Sequence, residues 1–181
     1  MDLRESLAEI LLWVLRFGLE RSWLDRASNQ WIAAQREMLE RFAANRVEIE
    51  RVFGRPAGRL VAVHAELSHR HHGGRYVSAL DFASGLRLVY KPRSVEIEAW
   101  YGTLVEQMNA ASAPVRLSAP RILNCGDHGW VEFIEHRACQ GRDELRQFYR
   151  NAGGLLCLLH LLQASDIHYD NLVARGAEPV I

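Results

Sequence analysis

The chain of 181 residues is long enough for one ordinary domain or for a large piece of a bigger protein. Apolar residues make up 49% of the chain, enough for a packed core, and 22 basic residues balance 22 acidic ones. Because neither sign of charge dominates, the composition argues against a dedicated nucleic-acid-binding or membrane-surface protein.

The cysteines and the apolar runs indicate a cytoplasmic protein. The three cysteines are far apart and form no C-x-x-C pair, which is typical of reduced thiols and argues against a zinc site built from them. The runs ILLWVL and LLCLLHLL are too short to span a bilayer, and the N-terminus has no signal-peptide pattern. We therefore expect no membrane span and no nucleic-acid partner.

The first part of the chain predicts a helical layer followed by an antiparallel meander. Residues 3–53 carry apolar side chains at helical spacing, and glycine and proline then end this pattern. Three short β-branched segments follow, at 60–67, 75–82 and 86–91. The last two are joined by a tight hairpin at Gly85.

The second part of the chain predicts a crossing helix, two strands, a long helix, a polar loop and a hairpin. Ser94 can cap the crossing helix, and the second half of the long helix is so apolar that we expect it to be buried all round. The fold class is therefore α+β and kinase-like, with three parts. These are a helical N-terminal segment at 1–55, an antiparallel β lobe at 56–136, and the start of a helical lobe with the catalytic loop at 137–181.

Lys91 is the only lysine of the chain and lies at the end of the third predicted strand. In kinase-like folds the third strand delivers a lysine to the α- and β-phosphates of the nucleotide. A compact ammonium fits a tight cleft that a broad guanidinium does not. The alternative is a solvent-exposed lysine at a strand end, but solvent would accept arginine, which occupies every other basic position.

The segment DIHYDN is the densest polar cluster and follows the long apolar helix. Asp166 and Asn171 have four residues between them, as do the Asp and Asn of the protein-kinase catalytic loop. The first would face the attacking hydroxyl, and the second would bind Mg²⁺. The alternative is an Asp- and Asn-rich loop whose side chains cap its own backbone.

Further residues fit the same hypothesis less sharply. A strand lysine of this type pairs with a carboxylate of the next helix, where Glu96, Glu98 and Glu106 are available, and we favour Glu106. The turn SHRHHGGRYV would close over the phosphates. Its histidines could instead indicate a metal, but no carboxylate is evident to complete such a site. The segment GWVEFIEH lies where a hinge between lobes would contact adenine.

These segments together resemble the dehydratase domain of class II lanthionine synthetases, the LanM enzymes of lantibiotic biosynthesis. The resemblance covers residues 60–181 and is carried by LVYKPRS, GWVEFIEH, FYRNAGGLLCLLHLL and DIHYDNLVARGAEPVI. It implies a lipid-kinase-like fold that uses ATP and Mg²⁺ to phosphorylate Ser and Thr of a precursor peptide. Elimination of the phosphate would then give dehydroamino acids.

The resemblance also implies a role for each matching residue. Lys91 would hold the ATP phosphates, Asp166 would orient or deprotonate the peptide hydroxyl, and Asn171 would bind Mg²⁺. His168 belongs to the same catalytic motif without an assigned role. Three residues match the glycine-containing turn that covers the nucleotide: His71, Gly74 and Arg75.

Two departures from the family pattern qualify this expectation. His69 stands where the family usually has Asp, and the chain stops at Ile181, before the family's second metal-binding Asp. We therefore expect an inactive fragment of a longer enzyme that supplies the rest of the helical lobe and a cyclase domain. Two alternatives stay open: another kinase-like phosphotransferase acting on a small molecule, and a non-catalytic binding module.

Overall fold

The computed structural model describes residues 21–65, 75–111, 115–169 and 171–181. Within these ranges the chain forms three helices and two antiparallel sheets, so the predicted α+β class is confirmed. In chain order the elements are α1 (Arg21–Phe53), β1 (Leu60–His64), β2 (Ser78–Phe82), β3 (Arg87–Lys91), α2 (Glu96–Ala110), β4 (Ile122–Asn124), β5 (Gly129–Glu132), α3 (Arg142–Leu161), β6 (Val173–Arg175) and β7 (Glu178–Val180).

The larger sheet has five strands in the order β1-β2-β3-β5-β4, and every neighbouring pair is antiparallel. The predicted meander of the first three strands is confirmed, including the hairpin at Gly85, whose φ of +78° suits glycine. Because β5 pairs with β3, the end of β3 lies in the middle of the sheet, with Lys91 opposite Gly129. Strands β6 and β7 form a separate hairpin.

One apolar core lies between α1 and the larger sheet. Trp130 of β5 and Ile49 of α1 are completely buried in it. The contact is also polar, because Asn45 Oδ1 of α1 accepts hydrogen bonds from the Trp130 indole at 3.1 Å and the His128 ring at 2.8 Å. The Arg41 guanidinium donates to the Tyr90 hydroxyl at 2.8 Å. These hydrogen bonds therefore fix the position of helix α1 on one face of the sheet, where it packs against β3 and β5.

A second core joins α2 to α3 and includes Leu117 of the extended segment between them. Only one stripe of α3 contributes to it, and the prediction that this helix is buried all round is wrong. Leu156 is 69% exposed and Leu161 is 72% exposed, because they lie on the side of α3 that faces away from α2. None of the helices in the described ranges is long and apolar enough to cross a membrane.

We predict that Tyr101→Phe leaves the protein at least as stable as it is now. The Tyr101 hydroxyl is buried in the second core without a hydrogen-bond partner among the described residues, and burial raises its pKa to about 12. An unsatisfied buried hydroxyl costs about 1 kcal/mol or more. Thermal unfolding should show an equal or higher melting temperature. A clear fall would mean that the hydroxyl has a partner after all.

Candidate functional site

A short connection brings the first turn of α2 next to the end of β3. Only residues 92–95 separate the two elements, and Pro92 ends the strand. Val95 is completely buried against Gly129, where a Cβ would overlap the Val95 side chain. Ser94, the predicted cap, lies one residue before the N-cap position, which Val95 occupies, and accepts a hydrogen bond from the backbone N–H of Glu96 at 3.3 Å. The start of α2 is therefore held close to Lys91.

Lys91 forms an ion pair with Glu98, not with Glu106. Lys91 Nζ lies 3.3 Å from Glu98 Oε1, and both side chains are about three-quarters buried. Glu106 is exposed and lines a separate cavity of about 600 Å³ together with Asn109 and Arg116. The expected pairing with Glu106 is wrong because Glu98 lies in the first turn of α2, directly after the short connection from β3, whereas Glu106 lies about two turns further along the helix.

Glu98 is ionised and shared by two cations. Its Oε1 accepts from Lys91 and also lies 2.8 Å from Arg93 Nη2. Partial burial acts to raise the pKa of Glu98, but the hydrogen bond from Arg93 and the charges of Lys91 and Arg93 outweigh it, so the pKa lies below its ordinary value. Two cations on one carboxylate leave a net positive charge at the end of β3, which suits a phosphate ligand.

The loop after α3 begins with a sharp reversal of the chain. Gln163 has a φ of +53°, and the N–H groups of Gln163 and Ala164 donate to the carbonyls of His160 and Leu159. This is the hydrogen-bond pattern of a Schellman motif, with Gln163 where glycine is usual. Asp166 follows with a φ of +61°, a conformation that Asp and Asn adopt more readily than most residues.

The Asn171 side chain ties this loop together. Its Nδ2 donates to the Asp166 carbonyl at 2.6 Å, and its Oδ1 accepts from the His168 backbone N–H at 2.9 Å. The Asp166 carboxylate points into solvent, 89% exposed, and His168 Nε2 is 3.7 Å from its Oδ1. The structure therefore brings Asp166, His168 and Asn171 together, and it presents the Asp166 carboxylate to any molecule that approaches from outside.

The segment after β5 packs on the hairpin β6–β7 that follows this loop. The Arg137 N–H donates to the Ala174 carbonyl at 2.8 Å, and the Gly176 N–H donates to the Arg137 carbonyl at 2.7 Å. Residues 132–137 and Arg175 enclose a cavity of about 420 Å³. The predicted hinge segment therefore lines a concave surface and is linked by backbone hydrogen bonds to the chain that carries the DIHYDN loop.

We predict that Gly176→Ala destabilises this link by about 1–3 kcal/mol. Gly176 has a φ of +61°, and a Cβ there would overlap the guanidinium of Arg137, which in turn binds Glu144 at 3.0 Å. Gly141→Ala is the matched comparison, because a Cβ on Gly141 would meet open space and its φ of 169° is extended backbone. Thermal unfolding of Gly176→Ala and Gly141→Ala should therefore differ, and equal melting temperatures would contradict the prediction.

The remaining predicted residues lie in or beside the turn between β1 and β2. Arg75 binds Glu37 of α1 through Nε at 2.8 Å and Nη2 at 3.2 Å, and this hydrogen bond lowers the pKa of Glu37. His71 and Gly74 lie outside the described residues. Within the described ranges, no group of three or more His, Cys, Asp or Glu side chains is arranged to hold a metal ion.

Sequence reasoning missed the Lys91–Glu98–Arg93 arrangement. Arg93 stands only two residues after the singled-out lysine, so the sequence contained a signal. The packing of Val95 against Gly129, which fixes the chain just before α2, could not be deduced from spacing alone because it depends on the pairing of β3 with β5.

The chain is similar to a known biosynthesis protein along much of its length. It is 25% identical over 118 residues to the lacticin 481/lactococcin biosynthesis protein LcnDR2 of Lactococcus lactis subsp. lactis. The match covers 61% of this chain and 13% of that relative, so the chain spans only a small part of the relative's length. A family model, described as a domain of unknown function (DUF4135), matches residues 19–181. The chain belongs to the DUF4135 family.

Proposed function

We propose that this chain is the nucleotide-binding lobe and catalytic loop of a LanM-type dehydratase with a kinase-like fold. The observation that carries the proposal is the ion pair between Lys91, at the end of the third strand, and Glu98, on the next helix. This is the lysine–carboxylate arrangement with which kinase-like proteins position nucleotide phosphates. The similarity to a lacticin 481/lactococcin biosynthesis protein supports a role in lantibiotic modification.

In this proposal each group of residues has one task. Lys91 binds the α- and β-phosphates of ATP, and the concave surface at 132–137 receives the base. Asp166 accepts the proton of a peptide Ser or Thr hydroxyl or orients it, and His168 lies beside that carboxylate. When bound, MgATP would supply the γ-phosphoryl group to the hydroxyl oxygen, leaving ADP. Loss of the phosphate from Cβ, with removal of the Cα proton by a base of the full-length protein, would then give the dehydroamino acid.

The loop contains oxygen donors of the kind that Mg²⁺ takes. Asn171 Oδ1 accepts one hydrogen bond, from His168, and an amide oxygen has a second lone pair. Mg²⁺ is commonly bound through one or two protein oxygens together with substrate phosphates and water. Asn171 therefore fits the role of an Mg²⁺ ligand without giving up its structural hydrogen bond.

The proposal extends to partners and organisation. The substrate is a precursor peptide, and the parent protein supplies the rest of a helical lobe and a cyclase domain in the cytoplasm. The division at residues 55 and 136 separates a helical layer, a β lobe and the start of a helical lobe. His71, Gly74 and Arg75 would contact the nucleotide, as the resemblance implies, and Glu106 has no part in this proposal because Glu98 pairs with Lys91.

The direct test uses the full-length protein that carries this chain, MgATP, and the precursor peptide encoded beside its gene. Mass spectrometry should detect phosphorylated Ser or Thr followed by dehydrated residues. ATP turnover with an unchanged peptide would contradict the proposal. Phosphate transfer to a small molecule would instead favour another kinase-like phosphotransferase.

A further inference from the structure

We propose that Arg93 is a positioning residue that holds Glu98 and thereby releases Lys91 to bind phosphate. The inference rests on the proposed function, because it concerns how the same site engages ATP. The roles predicted from the sequence include none for Arg93, which is only part of the LVYKPRS segment. The structure gives it the shorter of the two contacts to Glu98, at 2.8 Å against 3.3 Å for Lys91.

Arg93 is anchored independently of Lys91. Its Nη1 donates to the backbone carbonyl of Ser94 at 2.9 Å, while its Nη2 reaches Glu98 Oε1. A planar guanidinium that binds two oxygens through two nitrogens is held more firmly than a flexible ammonium. The guanidinium therefore links the chain just before α2 to the first turn of that helix and fixes the Glu98 carboxylate.

Arg93 changes the cost of moving Lys91 from Glu98 to a phosphate. Without Arg93, Lys91 would be the only cation on a carboxylate that is 27% exposed, and pulling it away would leave a largely buried charge without a cationic partner. With Arg93 in place, Glu98 keeps a charged hydrogen-bond donor when Lys91 turns to a phosphate. Glu98 then orients the Lys91 side chain but does not prevent it from binding a phosphate.

The experiment measures the affinity of the full-length protein for MgATP, without peptide, by isothermal titration calorimetry. We expect Arg93→Gln to weaken binding about 10-fold, because Lys91 stays on Glu98, and Arg93→Lys to stay within about 3-fold of the wild type. In a Glu98→Gln background, Arg93→Gln should weaken binding by less than about 3-fold, because no carboxylate remains to retain Lys91. Arg36→Gln is the matched control, since Arg36 forms an exposed ion pair with Glu40 at 2.8 Å.

Three results would overturn the inference. Arg93→Gln could behave like Arg36→Gln, or it could weaken binding equally in both backgrounds, which would indicate a general effect of charge. If Lys91→Met weakens MgATP binding in the same assays, either result removes the role of Arg93 and leaves the proposed function in place. A wild-type protein that binds no MgATP would remove both. Melting temperatures of all variants identify any that fail to fold.

Discussion

Replacing Asp166 by Asn is expected to reduce the rate of peptide phosphorylation about 10³-fold in the full-length protein. This change removes the carboxylate that accepts the proton and keeps a side chain of nearly the same shape. Asn tolerates a φ of +61° as well as Asp does, so the backbone conformation should survive. The rate of phosphopeptide formation at saturating MgATP is the quantity to measure.

The loop supplies its own control for this experiment. Gln163 also has a positive φ, and Gln163→Gly should relieve strain at the end of α3 while keeping the Schellman hydrogen bonds. Its phosphorylation rate should stay close to that of the wild type. Full activity in Asp166→Asn would show that the carboxylate has no part in phosphoryl transfer, whatever the control does.

Replacing Lys91 by Arg is expected to lower phosphorylation about 10²-fold or more, although the positive charge is kept. The Lys91 side chain is three-quarters buried, and the broader guanidinium of an arginine would compete with Arg93 for Glu98. The loss should appear in the affinity for MgATP as well as in the rate. Phosphopeptide and dehydrated peptide should both disappear.

Arg93→Lys provides the reverse exchange two residues away and should be far milder than Lys91→Arg. The two variants keep the same total charge, so a difference between them reports on shape and position alone. If Lys91→Arg dehydrates the precursor at the normal rate, Lys91 does not act on the phosphates. The presence of a single lysine in the chain would then have no functional meaning.

The fold could be predicted from the sequence wherever the pattern is local. The meander, its hairpin at Gly85 and the helix after Pro92 follow from β-branched runs, glycine and proline. The exposed side of α3 could not be predicted, because an apolar run such as LLCLLHLL indicates where side chains prefer to be and not what covers them. Leu156 is apolar and exposed because α2 reaches only the opposite side of the helix.

The site also has one feature that the sequence predicts and one that it does not. The spacing of Asp166 and Asn171 predicts one loop, and in the structure the Asn171 amide donates to the backbone carbonyl of Asp166, not to its carboxylate, at 2.6 Å. The choice between Glu98 and Glu106 depends on which turn of α2 lies beside Lys91, and the packing of Val95 against Gly129 fixes where that helix begins. Long-range pairing decides such contacts, so sequence spacing favoured the wrong glutamate.

Chemical labelling can show whether Lys91 contacts the phosphates of ATP. An acyl-phosphate derivative of ATP transfers its acyl group to an amine beside the bound phosphates. Lys91 carries the only side-chain amine of this chain, so its modification can be assigned without ambiguity within these residues. We predict that Lys91 in the full-length protein is acylated and that excess MgATP prevents it. An unmodified Lys91, or modification that MgATP does not prevent, would show that Lys91 does not lie beside the bound phosphates.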